Sequence, residues 1–291
     1  MSDISLIIEE RNASIGTIMV GRVLPFRQKR MVGPFIYMDH MGPIELQIDE
    51  NFDVLPHPHI GLSTLTYLLE GNLMHRDSIG SVQEILPGEV NWMTAGSGIV
   101  HSERTPDYLR DSVKRIHGLQ LWVALPKEKE QMAPRFIHID KERVPVWYDS
   151  DLEFRLIAGE AFGRNSPVTV YSPLFMVEIT SRFANTVSVD EELYGEVGMY
   201  ILKGSVEYKG TYYTAGRMLL FSESAFGEFL MEEDTILYLI GGEPMNEERL
   251  IDWNFVASTR ELIDAARQQW QDQRFDPIEG ETEFVPLPVK N

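Results

Sequence analysis

Short runs rich in β-branched and aromatic residues alternate with glycine and proline along most of the chain. In the first half such runs occupy residues 64–69, 83–86 and 118–125, and each ends at a turn residue or just before one. This spacing is typical of antiparallel strands in a sandwich or barrel. A second β-rich region runs from about residue 154 to 240. The pattern therefore predicts an all-β protein.

The two β-rich regions share a short sequence pattern. Residues 67–71 read Tyr-Leu-Leu-Glu-Gly and residues 200–204 read Tyr-Ile-Leu-Lys-Gly, and a further glycine follows in each copy, at Gly88 and Gly216. Duplication explains this economically, although a chance match is the alternative. We predict two domains, residues 1–140 and 141–291, joined by a charged, proline-marked connection at about 126–145.

The pattern turns helical after residue 242. Ser258 and Glu261 have the spacing of a capping box, and apolar residues recur at every fourth position over 262–270. We expect a helix over about 258–273 that closes one end of the second domain through its apolar stripe. The proline-containing residues 276–291 predict an extended tail.

Composition narrows the function. The 291 residues are 43% apolar and carry a net charge of -19, which argues against direct binding to nucleic acid. The apolar run at residues 6–8 ends at the charged residues 9–11, so we expect neither a signal peptide nor a membrane span. The chain has no cysteine, which excludes thiolate chemistry and favours a soluble, cytoplasmic protein. Imidazole and carboxylate remain as metal ligands.

All seven histidines lie in the first 138 residues. In an extended strand residues i and i+2 point to the same side, so His57 pairs with His59 and His101 with Glu103. Three imidazoles and one carboxylate suit a divalent transition metal with open positions, and leave about +1 charge on a ferrous site. Because Pro58 has no N–H, this segment is expected at a strand start or edge. The structural or solvated interpretation is favoured for the other histidines, which are His40, His75, His117 and His138.

These residues resemble a known family. Residues 57–71 are similar to the first motif of cupins, except that Thr64 stands where the acid is usual. Pirins show the same departure and take their carboxylate from the second motif, here residues 101–103. The chain resembles pirins over nearly its whole length, through residues 30–35 (RMVGPF), 56–59 (PHPH), 66–71 (TYLLEG), 92–103 (WMTAGSGIVHSE) and 118–122 (GLQLW).

The resemblance to pirins implies a bicupin fold, with two tandem cupin-type antiparallel β-barrels and a C-terminal helix. It also implies an iron ion in the N-terminal barrel and none in the C-terminal barrel. The implied metal ligands are His57, His59, His101 and Glu103. The sequence independently supports a C-terminal barrel without metal. Aligning the two copies places four other residues at the ligand positions, namely Asp190, Glu192, Phe229 and Met231.

Pirin-like proteins suggest two functions that share this site. One is dioxygenase activity on flavonols such as quercetin, with Fe(II) or another divalent transition metal and with Glu103 as a base as well as a ligand. The other is metal- or redox-dependent binding of a regulatory protein partner, in the manner of a transcriptional coregulator. A metal-binding module with neither role is the third alternative. The sequence alone leaves the three open, although a site with open coordination positions favours the enzyme.

Overall fold

The computed structural model describes residues 3–16, 18–189 and 192–288. About 53% of the protein is β-strand, and these described residues contain one α-helix, near the C-terminus, so the predicted all-β class is confirmed. The first half contains β1 Ile4–Glu9, β2 Arg11–Ile15, β3 Ile18–Leu24, β4 Phe35–Leu46, β5 Asp53–His59, β6 Leu62–Glu70, β7 Leu73–Asp77, β8 Val82–Ile85, β9 Val90–Thr94, β10 Ile99–Arg104, β11 Lys114–Ala124 and β12 Arg135–Ile139. The second half contains β13 Val146–Asp149, β14 Leu152–Ala161, β15 Arg164–Asn165, β16 Leu174–Ser181, β17 Asn185–Ser188, β18 Glu196–Lys203, β19 Ser205–Tyr208, β20 Thr211–Thr214, β21 Arg217–Phe221, β22 Glu228–Met231, β23 Thr235–Gly242, β24 Leu250–Asp252, β25 Phe255–Ala257 and the helix α1 Arg260–Gln271.

One compact unit contains most of the N-terminal half together with residues 246–288. Its larger sheet has seven strands in the order β12-β9-β6-β11-β4-β3-β2, and its smaller sheet has the order β5-β10-β7-β8. Strand β6 is buried along most of its length because it pairs with neighbours on both sides, β9 and β11. The smaller sheet carries the histidine pairs singled out in the sequence.

The other unit contains most of the C-terminal half together with the first strand of the chain. An eight-stranded sheet includes the path β1-β21-β18-β23-β16-β14-β13, and a four-stranded sheet has the order β17-β22-β19-β20. The repeated segments occupy equivalent places, because β18 is flanked on both sides as β6 is. Gly71 and Gly204 follow these strands with φ of 82° and 79°, a backbone region that favours glycine. The short repeat therefore has a structural basis.

The C-terminal helix packs elsewhere than expected. It begins at Arg260 with Thr259 as its N-cap rather than Ser258, since the Thr259 side chain accepts the Leu262 amide at 3.4 Å. Ser258 is engaged by the buried Glu130 instead, which accepts from its amide at 2.8 Å and from its hydroxyl at 2.6 Å. The apolar stripe of the helix contacts the N-terminal unit, where it shares a core cluster with Ile60 and Val100. Within the described residues no helix is long and apolar enough to cross a bilayer.

Neither compact unit is one continuous stretch of the chain. Strand β12 lies inside the expected connection and pairs with β9 of its own half. The halves exchange segments at two places: β1 pairs with β21, and residues 246–288 belong to the unit that contains most of the N-terminal half. Both exchanges depend on contacts between residues far apart in the chain, which local patterns do not encode.

Truncating the helix anchor should destabilise the protein. Trp270 is 4% exposed and packs among Phe275, Ile263 and Ile60, so Trp270→Ala is expected to lower the free energy of unfolding by about 3–5 kcal/mol. Urea unfolding would measure this. Tyr148→Ala is the matched control because that side chain is 70% exposed; equal losses in both variants would contradict a core role for the helix.

Candidate metal centre

The four predicted ligands lie on two paired strands. In the antiparallel register of β5 and β10, His57 stands opposite His101 and His59 opposite Ile99. Strand β5 is the edge of its sheet, which confirms the expectation from Pro58 and explains how a residue without an N–H is accommodated. All four side chains are buried.

Three of these residues converge. One ring nitrogen from each of His57, His59 and His101 lies within 4.8 Å of the other two. The ring centroids are 4.4 Å apart for His57 and His101, and 5.0 Å for each of the other two pairs. Three imidazoles on one buried face suit a divalent transition metal.

Hydrogen bonds fix the orientation of two of these rings. The Nδ1 atom of His57 lies 2.8 Å from the carbonyl oxygen of Leu55, and Nδ1 of His59 lies 2.9 Å from that of Asn254. A carbonyl oxygen can only accept, so both rings carry their proton on Nδ1 and keep the Nε2 lone pair available. Such outer partners commonly orient metal-binding histidines.

His101 supplies the clearest sign that a ligand belongs here. Its Nε2 atom is buried and has no hydrogen-bond partner. A buried polar atom without a partner is costly, and coordination to a metal would satisfy it. The donor set therefore fits a divalent transition metal held by imidazoles.

Burial keeps the three imidazoles neutral. It lowers the pKa of His57 to about 4 and holds the pKa values of His59 and His101 well below their ordinary range, with neighbouring histidines adding to the effect. Since only a neutral imidazole binds a metal, the site is ready for one at neutral pH.

Glu103 takes a different position from the histidines. The pairing of β10 with β5 shifts between His101 and Glu103, so Glu103 stands opposite Val54. Its carboxylate lies outside the group of mutually close donor atoms, and its Oε1 accepts from Thr66 Oγ1 at 3.0 Å. Burial raises the pKa of Glu103, although His75 and Thr66 oppose this. Strand geometry thus keeps a buried carboxylate beside the histidines without placing it among them.

These histidines make the stability of the metal-free protein depend on pH. Folding lowers the pKa of His57 from 6.5 to about 4, so the unfolded chain binds more protons in this window. Above pH 6.5 His57 is neutral in both states, and its effect on the free energy of unfolding is fully favourable. As the pH drops towards 4, the unfolded chain takes up the proton first, and the free energy of unfolding falls by about 3 kcal/mol for this one group. Glu103 has the opposite effect. Its pKa is raised in the folded protein, so the stability that its protonated form contributes is lost as the pH rises.

Urea unfolding of chelator-treated protein between pH 4 and 7 would measure this dependence. We expect His57→Asn to lose less unfolding free energy than the unaltered protein as the pH falls. The comparison removes the contribution of carboxylates that both proteins share. Identical pH dependence in both would show that His57 is not held neutral by burial.

Two of the other histidines pair away from this site. His40 and His117 place their Nε2 atoms 2.9 Å apart, and burial lowers the pKa of His117 to about 4, aided by His40. His138 Nδ1 lies 2.7 Å from Asn91 Oδ1, and its Nε2 lies 3.6 Å from a carboxylate oxygen of each of two acids, Glu89 and Asp140.

Comparisons with known proteins agree with this geometry. The family model described as Pirin matches residues 17–123, and that described as Pirin C-terminal cupin domain matches residues 176–276. This chain belongs to the pirin family. A pirin-like protein of Caulobacter vibrioides is 46% identical over 289 residues, covering 98% of this chain and 99% of that protein.

Two solved structures of quercetin 2,3-dioxygenase from Acinetobacter baumannii are also similar to this pirin. One has a TM-score of 0.91 at 37% identity and covers 98% of this chain and 95% of that chain. The other has a TM-score of 0.84 at 26% identity and covers 94% of this chain and 97% of that chain. The predicted bicupin fold is confirmed.

The C-terminal cupin domain of this pirin lacks the histidine arrangement. Of the positions aligned with the four ligands, Asp190 lies outside the described residues and Glu192 is exposed. Phe229 and Met231 are buried in the apolar core cluster of that unit. Apolar side chains thus occupy the place of two ligands.

The sequence did not reveal the residues that support the candidate ligands. His75 is buried and contacts both Asp77 and His101, which agrees with a structural role and adds that its contacts reach a candidate ligand. Gln120 and Thr66, joined at 2.9 Å, extend the polar chain that reaches Glu103. One signal was available, because His75 and Asp77 repeat the i, i+2 spacing of His101 and Glu103 on a neighbouring strand.

Proposed function

We propose that this protein is a metal-dependent dioxygenase that acts on flavonols such as quercetin in the cytoplasm. In this proposal Fe(II) is held by His57, His59 and His101, with Glu103 as a fourth ligand or a base. The observation that carries the proposal is the convergence of three buried imidazoles, one of which has a partnerless Nε2. The likeness to quercetin 2,3-dioxygenases supports the choice of substrate class.

A divalent metal would supply positive charge and open coordination positions for the 3-hydroxyl and 4-carbonyl oxygens of a flavonol. The protein must then accept the proton that the hydroxyl loses. Glu103 suits this role because burial raises its pKa, which brings it nearer to neutral pH than an exposed carboxylate. Thr66 holds Glu103 Oε1, so the other carboxylate oxygen is the one that would take the proton.

An aromatic side chain borders the three histidines. Trp122 is 7% exposed and packs edge-on against His59 with ring centroids 5.0 Å apart. This contact restricts rotation of the His59 ring and adds apolar surface beside the ligands. With a divalent metal bound, three neutral imidazoles and one carboxylate would leave a net charge of about +1, which favours an anionic ligand over a cationic one.

The proposal is tested by aerobic incubation of iron-loaded protein with quercetin. Loss of the flavonol absorbance must be accompanied by carbon monoxide and must require the histidines. The competing proposal, metal-dependent binding of a regulatory protein, predicts metal binding without this turnover.

A further inference from the structure

The three candidate ligands are not oriented by the same kind of partner. His57 and His59 place Nδ1 against backbone carbonyl oxygens, which can only accept a hydrogen bond. His101 instead places Nδ1 3.5 Å from Nδ1 of His75, at the outer limit of a hydrogen bond. An imidazole nitrogen either donates or accepts, so this contact alone does not fix where His101 carries its proton.

The direction of that contact is set one residue further away. Asp77 Oδ1 accepts the backbone amides of Ile79 at 3.1 Å and Ser81 at 2.8 Å. Its Oδ2 is left facing His75 Nε2 at 3.1 Å. A carboxylate only accepts, so His75 must carry its proton on Nε2 and present a bare Nδ1 to His101. His101 then donates from Nδ1 and keeps its Nε2 lone pair free.

We propose that Asp77 and His75 form a relay that fixes the tautomer of His101 and so makes its Nε2 available to the metal. His75 and Asp77 are positioning residues, because they act through His101. The proposal rests on the proposed metal centre, since a fixed tautomer matters only if His101 is a ligand.

Packing keeps the relay in place. His101 stands opposite Asp77 in the β10–β7 register, and Glu103 stands opposite His75. The His75 ring stacks on Phe136 with centroids 4.4 Å apart and an interplanar angle of 17°. Asp77 and His75 are 2% and 4% exposed, so water does not compete for these contacts.

Asp77→Asn tests the relay because it reverses every hydrogen bond in it. The two backbone amides still require the side-chain oxygen of residue 77, which turns its NH₂ group towards His75. His75 must then accept on Nε2 and donate from Nδ1, so His101 accepts on Nδ1 and carries its proton on Nε2, where it blocks the metal. We expect the Co²⁺ affinity to fall by about tenfold to a hundredfold, the usual effect of losing an outer partner.

Two measurements separate this from a structural defect. Two-dimensional NMR of the metal-free protein with ¹⁵N-labelled histidine reports the tautomer directly, and His101 should change from Nδ1–H to Nε2–H. Competition with a chromophoric chelator gives the Co²⁺ affinity. Glu70→Gln is the matched control, since Glu70 stands opposite another histidine, His117, and lies outside both groups of converging donor atoms; it should change neither quantity.

Substitutions of His75 provide a second test if Asp77→Asn folds poorly. Glutamine can donate to Asp77 and accept from His101, so His75→Gln should keep the Co²⁺ affinity within about threefold, whereas His75→Phe should lose at least tenfold. An unchanged His101 tautomer and affinity in Asp77→Asn would overturn the relay, as would equal affinities for the glutamine and phenylalanine variants. If the unaltered protein binds no Co²⁺, the metal centre itself fails, and the tautomer measurement still decides whether the relay exists.

Discussion

Purified protein loaded with a divalent transition metal should bind one equivalent per chain, and the His57→Ala, His101→Ala double variant should bind none at that site. These two residues supply two of the three converging nitrogens, and losing a direct ligand should exceed the tenfold to hundredfold effect of losing an outer partner. Glu103→Gln should weaken binding less, because an amide oxygen can still coordinate and because Glu103 lies outside the close group of donor atoms.

Elemental analysis after gel filtration measures the metal content per chain, and competition with a chromophoric chelator measures the metal affinity. The matched control is His117→Asn, which removes a histidine of the same domain that lies outside both groups of converging donor atoms. Retention of the metal by the double variant would refute the ligand assignment. A second equivalent lost on substituting Asp140 would place a metal at Glu89, His138 and Asp140, whereas loss on substituting Glu192 would place it in the C-terminal domain.

Local sequence patterns predicted the strands well. The runs at residues 64–69 and 118–125 correspond to β6 and β11, which pair with each other. The glycine at position 71 indicated a turn. The structure gives the reason, because its φ of 82° favours glycine and an added Cβ would lie 2.0 Å from the Arg115 carbonyl oxygen. Period-two burial and turn chemistry are local properties, which is why they can be read from one sequence.

The placement of the ends of the chain could not be predicted in this way. The apolar stripe of α1 showed that one face is buried, but not that Ile60 and Val100 cover it. Likewise Glu281 accepts from Ser102 at 2.5 Å and from Arg104 Nη2 at 2.7 Å, although these residues are 179 and 177 positions away in the sequence. Ser102 and Arg104 alternate along β10 with His101 and Glu103, so the tail binds the strand that carries two predicted ligands.

The candidate site was predictable as far as strand periodicity reaches. The i, i+2 rule placed His57 with His59, and the pairing of β5 with β10 added His101. The rule did not anticipate that Glu103 is hydrogen bonded to Thr66 and stands apart from the converging imidazole nitrogens. Which group a side chain contacts depends on residues of other strands, here Thr66 on β6, and the periodicity of one strand does not encode them.

Turnover is the prediction with the most direct bearing on function. Iron-loaded protein should consume quercetin only in the presence of dioxygen, with loss of the flavonol absorbance and one carbon monoxide released per flavonol. The products balance because both oxygen atoms of dioxygen enter the ring-opened ester while one ring carbon leaves as carbon monoxide. His57→Ala and His101→Ala should each abolish the reaction, as should chelation, since each removes the metal.

The same assay distinguishes a base role of Glu103 from a role as a ligand only. If its carboxylate accepts the proton of the 3-hydroxyl, Glu103→Gln should lower kcat by about a hundredfold or more, in the range expected for losing a general base. Its metal content, measured on the same sample, should fall much less. The fall in kcat should therefore exceed any fall in iron content, whereas a parallel fall in both would show that Glu103 acts only as a ligand.

Free iron is the control that decides the outcome, because ferrous ion alone can oxidise flavonols without splitting off carbon monoxide. His117→Asn, with its unaltered site, should match the unsubstituted protein. If iron-loaded protein gives no carbon monoxide above the free-iron control, the dioxygenase proposal fails for flavonols. Three buried imidazoles would then hold a metal without this turnover, which is the behaviour that metal-dependent binding of a regulatory protein requires.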